Sequence, residues 1–135
     1  MDKRQTILIV DDAEFNREIL KEFLGEAYSY LEAENGNQAL QILEENPEID
    51  LVLLDINMPQ MNGFEVLEWM NRLHWIDETP VIMISSEESV DAMRKAYEMG
   101  ITDYITRPFD SVIVKKRVQN TLGLYANQKR LVNVV

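Results

Sequence analysis

An α/β fold, one parallel sheet sandwiched between helices, is what the 135-residue sequence predicts. Three observations carry it. Short apolar runs of strand length alternate with longer stretches whose apolar residues recur every three or four positions. The alternation repeats five times, strand then helix, which calls for parallel strands joined by crossover helices. The strongest runs, ILIV at 7–10, LVLL at 51–54 and VIMI at 81–84, lack polar alternation and so suit strands buried on both faces.

Each element follows in order. After the first strand, Phe15, Ile19 and Phe23 fall four apart with Leu20, Leu24 and Ala27 beside them, and Asp12 is placed to cap a helix entered at Ala13. A weaker strand at 28–33 precedes a stripe of Ala39, Leu40 and Leu43. The third strand stops on Asp55, and the Met-Pro and Asn-Gly steps behind it mark a tight loop. Phe64, Leu67 and Met70 form the third helical stripe, and Pro80 opens the fourth strand, where its missing N–H is tolerated. Val90, Met93 and Tyr97 predict a fourth helix stopped by Gly100. A weak strand at 102–106 leads to the last stripe, Val114, Val118, Leu122 and Tyr125.

Composition narrows the function classes. Hydrophobic residues are 46% and charged residues 27% of the chain, ordinary for a globular protein of one domain. With no cysteine, disulfides and thiolate metal sites are excluded. Acidic residues outnumber basic ones 24 to 13, for a net charge of −11. That balance repels phosphate backbones and anionic lipid, so neither nucleic acid nor membrane is an expected partner. The start MDKRQTILIVDD does not read as a signal peptide, and the apolar runs are too short to cross a bilayer. A cytoplasmic location is expected.

The strand ends carry the chemistry. In a parallel sheet all C-terminal strand ends lie on one edge, where ligands bind. The first strand delivers Asp11 and Asp12 there, the third Asp55, the fourth Ser85 and the fifth Arg107. Each alone has a plainer explanation: Asp12 as a cap, Asp55 as a turn residue, Ser85 as a strand-end hydroxyl, Arg107 as a solvated charge. Their convergence on one edge argues against all four. Clustered carboxylates repel one another unless a cation sits among them, and an all-oxygen set suits Mg²⁺ over Zn²⁺. A carboxylate can also be a nucleophile toward phosphorus, with Ser85 and Arg107 binding the other phosphoryl oxygens.

The segments LIVDD, LLDINMPQMNG, PVIMISS and DYITRPF, in that order, resemble the receiver domain of bacterial two-component response regulators, from about Thr6 to Leu122. The resemblance implies a flavodoxin-like, doubly wound five-stranded parallel sheet of order 2-1-3-4-5 with helices on both faces. It divides the chain into a receiver domain at 1–122 and a C-terminal helical extension or connector at 123–135. It implies that Asp55 accepts a phosphoryl group from a sensor histidine kinase, with Asp11 and Asp12 binding Mg²⁺ directly or through water. Asn57 matches the position whose carbonyl also ligates the metal, Ser85 the hydroxyl that contacts the phosphoryl group, and Tyr104 the aromatic switch that turns inward. Asn57 and Glu87 match positions flanking the path of hydrolytic water, so the phosphoryl group is not expected to be unusually long-lived. Such a domain is not an enzyme; it catalyses only its own phosphorylation and dephosphorylation.

Arg107 departs from the family, which places Lys before this proline. Arginine keeps the charge but is planar and larger; it can fork onto phosphoryl oxygens or swing outward. Phosphorylation is expected to survive, and the Arg107–Pro108 bond is expected to be cis. Beyond Leu122, helical spacing continues through LGLYANQKRLVNVV, with Leu124 and Leu131 seven apart and Val135 beyond. Gly123 costs that helix about 1 kcal/mol without breaking it. Of two readings, a frayed terminus or a connector toward an output domain, the connector is expected, similar to receivers with cyclic-nucleotide signalling or phosphatase outputs. The fourth helix, fifth strand and fifth helix offer Lys95, Lys115, Lys116 and Arg117 among Asp91, Glu98 and Asp103, a face suited to a homodimer.

Three other functions compete. A flavodoxin-type electron carrier needs a hydroxyl- and glycine-rich loop after the first strand, where DDAEF puts negative charge. A haloacid-dehalogenase-like phosphatase wants a second Asp two residues after the nucleophile, where Asn57 stands. The third is a receiver-like interaction module not controlled by phosphorylation, for which Arg107 is the argument.

Overall fold

In the computed structural model, residues 4–86 and 89–133 are described, with side chains of the last helix described to residue 126. The chain runs β1 (Gln5–Val10), α1 (Glu14–Leu24), β2 (Tyr28–Ala33), α2 (Gly36–Glu45), β3 (Leu51–Asp55), α3 (Gly63–Arg72), β4 (Val81–Ser85), α4 (Val90–Glu98), β5 (Asp103–Thr106) and α5 (Ser111–Asn133). Short 3₁₀ turns at Gly25–Ala27 and Trp75–Asp77 complete it. The five strands form one parallel sheet in the order β2-β1-β3-β4-β5.

Because side chains alternate across a strand, each apolar run feeds two cores. Leu8 and Val10, Val52 and Leu54, and Val81 and Met83 pack with Ala39, Leu43, Val66, Leu67, Met70 and Ala96 from α2, α3 and α4. Ile7 and Ile9, Leu51 and Leu53, and Ile82 and Ile84 pack with Leu20 and Leu24 of α1 and Val114, Val118 and Leu122 of α5. β3 and β4 are buried at every position, as expected of strands covered on both faces.

Two helical stripes turn out rotated from the expected faces. In α1 the buried residues are Leu20 and Leu24, while Phe15 is 75% exposed. In α4 only Ala96 is buried, and Val90 and Tyr97 face outward. Spacing alone cannot choose among parallel apolar rows on a helix when several exist; contact with the sheet chooses.

The loop after β3 is closed by a reciprocal cap at α3. Asn62 accepts the Glu65 N–H at 3.0 Å, and Glu65 accepts the Asn62 N–H at 3.1 Å. This capping box satisfies two N–H groups at the helix entrance. Asn62→Ala is expected to lower stability by about 1 kcal/mol, read as a shifted urea midpoint with unchanged slope.

The last helix passes Leu122 and Gly123 without a break and continues to Asn133. The side chain of Leu131, and Val135 altogether, lie outside the described residues. No helix among the described residues is long and apolar enough to cross a membrane.

Candidate functional site

Strand ends build the site. Asp11 and Asp12 are the first residues past β1, Asp55 ends β3, Ser85 ends β4 and Arg107 follows β5. Val10 pairs with Leu54, so one further step sets Asp11 beside Asp55. The chain leaves β1 outward to β2 and returns on the other side to β3, which opens a crevice between β1 and β3. One carboxylate oxygen from each of Asp11, Asp12 and Asp55 lies within 4.8 Å of the other two. Asp11 and Asp55 are each 1% exposed, and Asp12 is exposed.

The backbone around Asp11 is held on several sides. Its Oδ1 accepts the Ala13 N–H at 2.9 Å and the Asn16 Nδ2–H at 3.4 Å. Its carbonyl accepts Arg17 Nη1–H at 2.7 Å, and its N–H donates to Ala33 at 3.1 Å. Arg17 is braced in turn by Glu32, 2.9 Å from its Nε. The expected cap of α1 by Asp12 is not formed. Ala13 occupies the N-cap position, with no side-chain acceptor, and Asp11 takes the local N–H instead. Asp12 therefore joins the carboxylate cluster.

Asp55 Oδ1 accepts the Asn57 N–H at 3.2 Å and lies 3.3 Å from Arg107 Nη2. Burial pushes its pKa up from 3.8 to about 6; the neighbouring Asp11 charge adds to the rise, and Arg107 and the Asn57 N–H offset part of it. Asn57 itself is exposed at the rim.

Arg107 takes the inward of its two expected positions. Its Nη2 donates to Asp11 Oδ2 as well as approaching Asp55. Its backbone N–H donates to the Ser85 carbonyl at 2.9 Å, its guanidinium carbon lies 5.7 Å from the Phe109 ring, and the Arg107–Pro108 bond is cis. Its Nε is buried with no acceptor from the described protein atoms. Ser85 is fully buried, and Tyr104 is 2% exposed, inside the core beneath α4. Glu87 lies outside the described residues.

The donor set fits a hard divalent cation. Every cluster ligand is an oxygen, with no imidazole or thiolate, which favours Mg²⁺. Burial is the main cause of the raised Asp55 pKa, and the Asp11 charge that adds to it is charge that such a cation relieves.

Gly63 belongs to the site and escaped the sequence reading. Its N–H donates to the Ile56 carbonyl at 2.9 Å. A Cβ there would lie 2.5 Å from the Asp55 carbonyl oxygen and 2.9 Å from Ile56 Cα. The glycine lets the start of α3 rest directly on the backbone that presents Asp55. Asn-Gly announced a loop; no local signal announces a contact eight residues back.

Among known families, the response regulator receiver domain matches residues 7–119. A probable cyclic di-GMP phosphodiesterase of Vibrio cholerae is 35% identical over 95% of this chain, which spans 29% of that protein's length. A chemotaxis protein CheY homolog of Campylobacter jejuni is 31% identical over 87% of this chain and 92% of its own. The signal receiver domain of a LuxO repressor-related protein from Vibrio parahaemolyticus superposes with a TM-score of 0.88 at 26% identity, covering 95% of this chain and 97% of its own.

Proposed function

The chain belongs to the response regulator receiver domain family, and on that premise we propose that Asp55 is the carboxylate that accepts the phosphoryl group. The single observation that carries this is the placing of Asp55, buried at a strand end, within 4.8 Å of the Asp11 and Asp12 ligand oxygens. Phosphoacceptor signalling fits the family; an interaction module indifferent to phosphate is not favoured.

The donor is a phosphohistidine of a sensor kinase. An oxygen of Asp55 attacks phosphorus; the P–O bond forms as the P–N bond breaks, and the departing imidazole nitrogen takes up a proton. Asp11, Asp12, Asp55 and the Asn57 carbonyl would hold Mg²⁺, which supplies neutralisation of the charge that gathers on the transferring group. Ser85 donates its hydroxyl to one phosphoryl oxygen and Arg107 its guanidinium to others. Tyr104 already lies inside the core beneath α4; Ser85 drawn toward the phosphoryl group favours that inward position and so links the state of the site to the α4–β5–α5 face. Asn57 and Glu87 orient the water that later hydrolyses the acyl phosphate. The domain performs no other chemistry.

The unbroken α5 helix supports a connector from residue 123 onward to an output domain. An output acting on a cyclic dinucleotide is the one the Vibrio cholerae relative suggests. The α4–β5–α5 face, where Tyr97 hydroxyl and Arg117 both approach Asp103 at 3.3 and 3.8 Å, serves a second copy of the chain. The setting is cytoplasmic.

Incubation with Mg²⁺ and a small phosphodonor, followed by intact mass, tests the reading. The wild-type chain is expected to gain one phosphoryl group that Asp55→Ala cannot gain. A chain that gains nothing from any donor or kinase is an interaction module instead.

A further inference from the structure

Resting on the phosphoacceptor reading and its cation site, we propose that Arg17, braced by Glu32, is a positioning residue for that site. It holds the peptide between Asp11 and Asp12 so that both carboxylates face Asp55.

The sheet leaves a rung open beside the site. The Asp11 N–H continues the β1–β2 ladder by donating to the Ala33 carbonyl at 3.1 Å. The Asp11 carbonyl would take its donor from beyond Ala33, where β2 has ended. Arg17 Nη1 reaches back from α1 and supplies that donor at 2.7 Å. Its Nε donates to Glu32 Oε1 at 2.9 Å, and Lys21 Nζ holds the other Glu32 oxygen at 2.9 Å. The Arg17 side chain is only 12% exposed, so its bonds are screened less than those of a surface pair. Two donors of one planar fork thus tie the edge strand to the acidic loop.

The peptide that Arg17 grips is the one that aims the ligands. Asp11 and Asp12 lie on either side of it, and rotation of its plane swings both carboxylates relative to Asp55. Asp11 has further holds, the Ala13 N–H and the Asn16 amide on its Oδ1. Asp12 is exposed, and among the described residues no hydrogen bond fixes its side chain. Its direction follows from the peptide before it. Groups that orient metal ligands without touching the metal typically change affinity by roughly 10–100-fold. The sign of the effect separates positioning from charge. Arg17 is a cation near the cluster, so by charge alone its removal would tighten Mg²⁺ binding. Loss of positioning weakens it.

Calorimetric titration of the full chain with Mg²⁺ tests this on wild type, Arg17→Met, Glu32→Gln and Glu32→Ala. Arg17→Met is expected to bind Mg²⁺ about tenfold more weakly, and its phosphorylation by acetyl phosphate to need correspondingly more Mg²⁺. Glu32→Gln keeps an acceptor for Arg17 Nε and is expected to stay within about twofold of wild type. Glu32→Ala removes the acceptor and is expected to bind several-fold more weakly, whereas charge alone would make the two Glu32 variants alike. Circular dichroism melts establish which variants fold; if Arg17→Met does not, the Glu32 pair carries the comparison. A folded Arg17→Met that binds Mg²⁺ as tightly as wild type, or more tightly, overturns the proposal, as do Glu32 variants of equal affinity. Weaker binding by Arg17→Met in a chain that never gains phosphate sinks the phosphoacceptor reading and leaves the positioning role standing. An absence of Mg²⁺ binding in all four proteins overturns both.

Discussion

Asp55→Asn is expected to abolish phosphoryl incorporation and, in magnesium-free buffer at neutral pH, to stabilise the fold by about 2–3 kcal/mol. The two effects have one cause. Asp55 is 1% exposed and faces Asp11, so its ionised form is disfavoured in the folded chain and its pKa rises from 3.8 to about 6. The stability this group contributes is therefore fully present below its unfolded pKa and is lost as pH rises through about 6. Wild-type protein without metal should lose stability across that window, and the asparagine variant should not. Urea melts from pH 4 to pH 8, roughly bracketing the window, check the sign directly. Saturating Mg²⁺ should erase the difference, because the cation binds the ionised carboxylate and not its acid form. A residue that stabilised the fold by being charged would give the opposite slope.

Gly63→Ala is expected to cost about 3 kcal/mol and to slow phosphorylation of whatever protein remains folded. The added Cβ meets backbone, the Asp55 carbonyl oxygen at 2.5 Å and Ile56 Cα at 2.9 Å. Backbone cannot rotate away as a side chain can, so either α3 lifts from the sheet or the strand end that carries Asp55 is displaced. Gly36→Ala is the control. The atoms nearest its Cβ are Met61 Cγ and Sδ at 2.8 Å and Met61 Cβ at 2.9 Å; the thioether end has other rotamers, and Met61 Cβ yields only by a small shift of its loop. A smaller loss than at Gly63, about 1–2 kcal/mol, is expected there. Urea midpoints for the two variants, with phosphorylation rates on the folded fraction, separate a structural clash from general intolerance of glycine replacement.

Much of the architecture could be read from apolar spacing alone. Uniformly apolar runs at 7–10, 51–54 and 81–84 became strands buried at nearly every position, and the alternation of strand and helix became a parallel sheet of order 2-1-3-4-5. The meeting of Asp11, Asp12 and Asp55 was legible for the same reason, since all parallel strand ends share one edge. What spacing could not give were facts set by three-dimensional contact. Phe15 lies on an apolar row of α1 yet is 75% exposed, because the sheet meets the row of Leu20 and Leu24. Asp12 has the identity of a cap and the position of a ligand, because Asp11 reaches the Ala13 N–H first. Arg107 had two available directions, and the negative charge of Asp11 and Asp55 drew it inward.

Trapping the acyl phosphate by borohydride, then mapping the reduced position by peptide mass, tests the central claim most directly. Hydride reduces a phosphorylated carboxylate to the alcohol and leaves an ordinary carboxylate intact, so it marks the acceptor. After incubation with Mg²⁺ and phosphodonor, reduction is predicted at Asp55 alone, and none when Mg²⁺ is chelated. Reduction at Asp11 or Asp12, or a phosphoryl group that resists hydride and sits on Ser85, would contradict the account.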